Sequence, residues 1–338
     1  MESLFEFGLS ASRWWQTNYP QLAPFFQWIS QLGRFEFYLA VTPLIYWCIN
    51  KQMGKHLIFL LAFSDIINSI TKQALHQPRP YWLDAGLGLD EESSYGIPSG
   101  HAQGASLMYL FLGLWLRRSW VWVLCLTMVV LMALSRVYLG VHFVHDVVGG
   151  FLIAVLVLVG YAVWQRDFYD RFRNRILGQR VMFILVVIFL LALLFGVTRL
   201  VRGVPDMGVV WAQYIEVAEL ESVENVATAF GTLLGVGIGF ILEVSWVRFK
   251  EQGVWWKKVL RYGLGMAVAA AIVFGLRAIL PTEPLWLGHI PLRIFRYFLG
   301  GFWVSYYAPA LFVRLKLAEA HPEPEIKFTV SNEGLMQQ

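Results

Sequence analysis

Charge is scarce in this chain. Only 15% of its 338 residues are Asp, Glu, Lys or Arg, against roughly 25% in a soluble domain. A water-soluble body of this size needs far more polar surface, so a soluble globular fold is excluded. Cysteine is nearly absent. Cys48 and Cys125 lie in separate apolar runs, which excludes a disulfide framework and, without paired Cys and His clusters, a structural zinc site. The chain also lacks a Rossmann glycine pattern, a Walker sequence, a coiled-coil heptad and any nucleic-acid signature. Its first residues, MESLFEFGLSASRWW, are acidic and aromatic rather than basic, so no cleavable signal is expected and the first true span should direct targeting.

Hydrocarbon-seeking residues fill the space that charge leaves. They make up 57% of the chain, the mean hydropathy is +0.55, and 15 Trp, 14 Tyr and 25 Phe suit a protein anchored at two lipid–water boundaries. The pattern predicts an all-α polytopic transmembrane bundle of about nine spans, at 33–50, 56–74, 99–116, 119–138, 144–164, 180–199, 226–247, 259–280 and 292–313. Four parts are expected: an N-terminal interfacial segment (1–32) broken at Pro20 and Pro24, a catalytic helical core (33–165), additional C-terminal membrane helices (166–315) and a polar tail (316–338).

Basic residues alternate between loops. Lys51 and Lys55, then Arg117 and Arg118, then the group from Arg166 to Arg180, then Arg248 to Arg261, and last Arg314 and Lys316 share one side. The loop from Arg202 to Asn225 is acidic. Short basic loops stay cytoplasmic, so the N-terminus is expected outside and the C-terminus inside.

Three polar clusters interrupt the apolar pattern, all on the expected outer side. They are KQALHQPRP from Lys72, PSGH from Pro98 and SRVYLGVHFVHD from Ser135. In the first, Pro78 and Pro80 should end the helix near His76 and fold Arg79 back beside Lys72. A planar guanidinium and a compact ammonium together suit a phosphoryl group. Each cation taken alone reads equally well as an interfacial anchor. In the second, Ser99 can cap a helix, Gly100 lets backbone approach an anion, and His101 lies in the first turn, where a proton could reach a leaving oxygen. In the third, the spacing of four puts His142 and Asp146 on one helix face, where the carboxylate fixes the imidazole tautomer. Arg136 precedes them. His145 is a competitor, although its side chain is expected to point away from the face Asp146 shares.

Taken in order, the clusters resemble the signature of the type 2 phosphatidic acid phosphatase superfamily: Lys, six residues, Arg-Pro; Pro-Ser-Gly-His; Ser-Arg, five residues, His, three residues, Asp. Lys72, Arg79, Pro80, Pro98, Ser99, Gly100, His101, Ser135, Arg136, His142 and Asp146 fill every fixed position. The resemblance implies His142 as nucleophile, Asp146 as its orienter and His101 as general acid. It makes Lys72, Arg79, Ser99, Gly100 and Arg136 the phosphate cradle, and needs neither metal nor cofactor. RPYW (Arg79–Trp82) and the nine-span, N-outside layout also resemble glucose-6-phosphatase.

The expected function is therefore metal-independent hydrolysis of a membrane lipid phosphate or diphosphate through a phosphohistidine. Undecaprenyl diphosphate, phosphatidic acid and phosphatidylglycerol phosphate are the candidates, at the outer face of a bacterial-type inner membrane. The expected partners are that lipid and the phospholipid bilayer, with no nucleic acid. A glucose-6-phosphatase-like hydrolase of soluble phosphomonoesters is the alternative, and a lipid-binding or transport protein is the non-enzyme reading. Arg199, Arg202, Arg277, Glu283, His289, Arg293 and Arg296 are read first as interfacial anchors and second as lining of a substrate entrance.

Overall fold

The computed structural model describes residues 2–281, 283 and 285–322, and its regular structure is helical apart from one bridge between Phe249 and Ala320. Most of the expected tail lies outside the described residues. Helices α1 (Glu2–Asn18) and α2 (Ala23–Gln31) come first. Pro20 opens the short 3-10 turn between them, and Pro24 falls in the first turn of α2, where no N–H is missed. This segment is more than an interfacial cover. Phe26 and Ile29 are buried, and Ser12 Oγ donates to Val137 O at 2.8 Å.

The bundle begins with α3 (Phe35–Leu44), which continues through a π turn to Ile49. Helix α4 (Lys51–Leu75) is capped by Asn50 and stops at His76, which is left-handed at φ 46°. The single turn α5 (Pro80–Leu83) follows, then α6 (Gly100–Leu116), α7 (Ser119–Tyr138), α8 (Val144–Asp167) and the short α9 (Tyr169–Arg173). The C-terminal part holds α10 (Leu177–Arg202), α11 (Ile215–Leu242), α12 (Trp255–Ala270), α13 (Leu276–Ile279), α14 (Ile290–Phe302) and α15 (Ala308–Arg314).

Helices cover all nine expected ranges, but six among the described residues are long and apolar enough to cross a membrane. They lie within Lys51–Leu83, Ser119–Tyr138, Val144–Asp167, Leu177–Arg202, Ala212–Val247 and Trp255–Ile279. The chain is an all-α polytopic membrane protein. The other three ranges fall short for physical reasons. Phe35–Ile49 is a shorter apolar helix, and α6 has 17 residues, about 26 Å of rise. The third, from α14 to α15, carries Arg293, Arg296 and Arg314.

Helix α4 is the centre of the bundle. It packs on α6 and α8 at one side and on α10 and α11 at the other. Leu57 and Leu60 meet Leu107, Met108 and Ala154 in the first interface, while Ile66 and Ile70 meet Val223, Val226 and Leu233 in the second. Lipid outside is as apolar as leucine, so close packing rather than water exclusion holds such interfaces. Helix α11 shows this most clearly. A Cβ on Gly231 would lie 2.3 Å from Ile294 O, and one on Gly235 would lie 2.3 Å from Phe298 O, so its backbone touches that of α14.

Candidate active site

The first cluster is shaped by the stop of α4. Past His76 the chain is irregular, and Arg79 is extended ahead of Pro80, so its side chain turns back on the helix end. Lys72 and Arg79 then share two acceptors. Lys72 Nζ donates to Ser94 Oγ at 2.8 Å and Tyr95 O at 2.7 Å, and Arg79 Nη2 reaches the same atoms at 3.1 and 3.2 Å. Arg79 is fully buried and also donates through Nε to Ser94 O at 2.5 Å and through Nη1 to Val141 O at 2.9 Å.

Ser99 is the N-cap of α6, and its Oγ accepts from Ala102 N–H at 3.4 Å. A Cβ on Gly100 would meet no protein atom closer than 3.7 Å, so the space that glycine leaves open belongs to a cavity it lines. His101 follows in the first turn. Its Nε2 is buried and has no hydrogen-bond partner among the described residues.

The third cluster depends on Gly140. Its φ is 69°, and a Cβ there would sit 2.1 Å from Leu87 O, so no other residue fits the turn between α7 and α8. The turn brings His142 over the cradle. Asp146 Oδ2 lies 3.3 Å from His142 Nδ1 and accepts from Phe143 N–H at 2.9 Å. On the other side of the ring, Nε2 is 3.0 Å from Arg79 Nη1. A guanidinium only donates, so the Arg79 contact favours the tautomer in which Nε2 accepts and the ring proton sits on Nδ1 facing Asp146. That tautomer leaves the Nε2 lone pair pointing into the cradle. Burial first, then the Arg79 cation, push the His142 pKa below its ordinary value, against Asp146 and Glu92, which act to raise it.

One residue that sequence reasoning missed organises the whole site. Glu92, in the irregular segment before PSGH, reaches both arginines and both histidines. Its Oε2 lies 2.8 Å from Arg79 Nη2 and 3.4 Å from His142 Nε2. Its Oε1 lies 3.0 Å from His101 Nδ1 and accepts a short hydrogen bond from Arg136 Nη2. Burial opposes ionisation of Glu92 most strongly, yet Arg136, Arg79 and His101 together hold its carboxyl well below the usual range. The only sequence signal was a polar run, Glu91–Ser94, with no spacing that ties it to the clusters.

Other placements differ from expectation. Ser135, a motif position given no role in the cradle, donates its Oγ back to Met132 O at 2.7 Å. Ser30, from α2, accepts a short hydrogen bond from Arg136 Nη1, so the N-terminal segment reaches the site. His145 does not point away from Asp146. Its Nε2 is 3.3 Å from Asp146 Oδ1, because a first-turn side chain can lean sideways, while its ring stacks on Phe143 outside the cradle. Arg293 is more than an anchor, since it pairs with Glu224 at 2.5 Å and lines the same cavity as His101.

That cavity has a volume of about 600 Å³ and continues from Lys72, Gly100 and His101 into the bundle between α4, α11 and α14. Near the site it presents Asp65, Asn68, Glu221 and Asn225, and farther in Ile58, Val236, Val273 and Val304. Among the described residues no group of three His, Cys, Asp or Glu could hold a metal ion.

Comparisons with known proteins bear on the family of the chain. The PAP2 superfamily model matches residues 54–170, which hold all three clusters, and the model of its transmembrane extension matches residues 227–320. Phosphatidylglycerophosphatase B of Bacillus subtilis is 31% identical over 142 residues, 38% of this chain and 68% of its own length. Human sphingosine-1-phosphate phosphatase 2 is 34% identical over 148 residues, 41% of this chain and 37% of its own length. Mouse glucose-6-phosphatase catalytic subunit 1 is 26% identical over 322 residues, 82% of this chain and 85% of its own length. The chain spans about two fifths of the length of the sphingosine-1-phosphate phosphatases it matches, 37% of the human protein and 42% of the mouse one. The chain belongs to the PAP2 superfamily.

Proposed function

We propose that this protein hydrolyses the phosphate or diphosphate of a membrane lipid without a metal ion, with undecaprenyl diphosphate, phosphatidic acid and phosphatidylglycerol phosphate as candidates. The observation that carries the reading is Glu92, an anion received at once by Arg79, Arg136 and His101 and lying beside His142. A substrate phosphoryl group displaces it and takes the same donors. The Nε2 lone pair of His142 then forms a bond to phosphorus as the ester P–O bond breaks, with Asp146 holding the Nδ1 proton. His101 gives its proton to the departing oxygen. Water attacks the phosphohistidine, the P–N bond breaks, and His101 takes the water's proton. Lys72, Arg79, Arg136 and the α6 N-terminus at Ser99 and Gly100 stabilise the equatorial charge.

In this reading the four-part division of the chain holds, with nine spans, the N-terminus and site outside and the C-terminus inside. The three ranges that fall short alone cross as packed members of the bundle. The apolar far end of the cavity supports a lipid chain lying within the protein, each buried methylene contributing about 0.8 kcal/mol relative to water.

A second reading has its own support. The cavity carboxylates and amides nearest the site suit a polar alcohol, and the likeness to glucose-6-phosphatase extends over 82% of the chain. Kinetics of the purified protein with long-chain lipid phosphates and their water-soluble headgroup analogues, in one detergent, separate the two. The lipid reading expects a much higher kcat/KM for the long chain. Equal processing of glucose 6-phosphate overturns it in favour of the soluble monoester.

A further inference from the structure

A second cavity, of about 800 Å³, lies at the other end of the bundle. Its residue Lys55 precedes Lys72 by 17 positions on α4, about 26 Å of helix. The cavity exists because α8 and α10, consecutive long helices joined through α9, pack on different partners. Helix α8 lies on α6 and α4, while α10 lies on α4 and α11. The wedge between them is floored by Phe59 and Phe63 of α4 and walled by Trp164, Phe183 and Phe240.

Its charge is one-sided. Among the described residues Lys55, Arg173 and Arg180 line it, and no Asp or Glu does. Arg180 is only 3% exposed, yet its guanidinium makes one long hydrogen bond, Nη2 to Ser245 Oγ at 3.3 Å, and its Nε has no partner among the described residues. A buried guanidinium left this incompletely paired is costly unless an anion completes it. Arg173 stands at the mouth, exposed and without an ion pair among the described residues.

We propose that this wedge binds an anionic phospholipid, its phosphate held by Arg180 and Arg173 and its acyl chains lying on Phe59, Phe63, Val157 and Val187. A buried Arg180 and an exposed Arg173 beside a largely aromatic and aliphatic groove match the two ends of such a molecule. The wedge is not a second hydrolytic centre. Among the described residues its one histidine, His56, packs between the rings of Trp115 and Tyr161, and no carboxylate lines the wedge to orient it. The bound lipid bridges the helices carrying the catalytic clusters to the C-terminal extension.

The test uses full-length protein in neutral detergent, titrated with dioleoyl phosphatidylglycerol or dioleoyl phosphatidylcholine. Thermal unfolding and native mass spectrometry are the readouts. Phosphatidylglycerol is a diester with no terminal phosphate, so the hydrolytic site does not consume it. The expected result is one saturable phosphatidylglycerol site that raises Tm, with at least tenfold weaker retention of phosphatidylcholine. The exposed Arg173→Glu change should weaken that site several-fold and leave hydrolysis of a soluble phosphate ester unchanged. Arg180→Gln should abolish the site, and Arg173→Glu carries the test alone if that buried change prevents folding. Equal retention of both lipids, a non-saturating response, or unchanged binding by Arg173→Glu overturns the proposal. None of these outcomes bears on His142.

Discussion

The carboxylate of Glu92 meets the Arg79 guanidinium at 2.8 Å, where an oxygen of a bound phosphoryl group would be received. Its charge is held by the same cations that the proposed reaction needs, so Glu92 competes with substrate. Glu92→Gln should lower KM for a phosphate monoester and the inhibition constant for vanadate about tenfold, which is about 1.4 kcal/mol. The kcat should change little, because Gln adds nothing to the transition state. Steady-state kinetics decide, and a raised KM would assign Glu92 to productive binding instead.

The pH profile follows from His142, which attacks only as the neutral imidazole. Burial and Arg79 set its pKa low, so the acid limb of kcat/KM should lie below the ordinary imidazole value of about 6.5. Asp146 acts in the opposite direction, so Asp146→Asn should move that limb to still lower pH. The same change should cut kcat by about 10²–10⁴, because the tautomer is no longer held. A limb that moves upward would contradict this account of the pair.

The catalytic clusters were legible because helix ends carry them. Prolines follow the stop of α4 and a serine caps α6, whereas His142 meets Asp146 from the turn before α8 rather than from a shared helix face. Glu92 was not legible, since an irregular segment brings it to the cradle and only tertiary packing decides where such a side chain falls. His145 was misjudged for a related reason. The rule that adjacent residues share no face weakens in a first turn, where the chain is only partly wound. Span number was harder to read than span position, because length and hydropathy separate six helices from three that fall short.

Asp65 bears on the alcohol side of the substrate. It lies on α4 seven residues before Lys72, about 10 Å deeper, lines the cavity, and forms no ion pair among the described residues. An ionisable group inside a membrane span marks a binding path. Asp65→Leu should raise KM several-fold for phosphates whose alcohol carries hydroxyl or amino groups. Bare alkyl phosphates should be unaffected or turned over better. A uniform loss across both series would reduce Asp65 to a structural part.

Gly140→Ala tests the turn that delivers His142. The positive φ and the 2.1 Å approach to Leu87 O leave no room for a methyl group. The change should cost more than about 1 kcal/mol of stability and remove most activity. Thermal unfolding and turnover measured on one sample check both, and unchanged turnover would detach the turn from the site.

Capture of the covalent intermediate is the most direct measurement. In His101→Ala, a phosphate ester with an aryl leaving group needs no acid to depart, whereas the second step loses its base, so the phosphoenzyme should accumulate. Rapid quench at alkaline pH in EDTA, followed by peptide mass analysis, should find the phosphate on the peptide containing His142. No such adduct should form in the double variant that also carries His142→Ala. A phosphate on another residue, or turnover by His142→Ala near that of the unaltered protein, would contradict the assignment of the nucleophile.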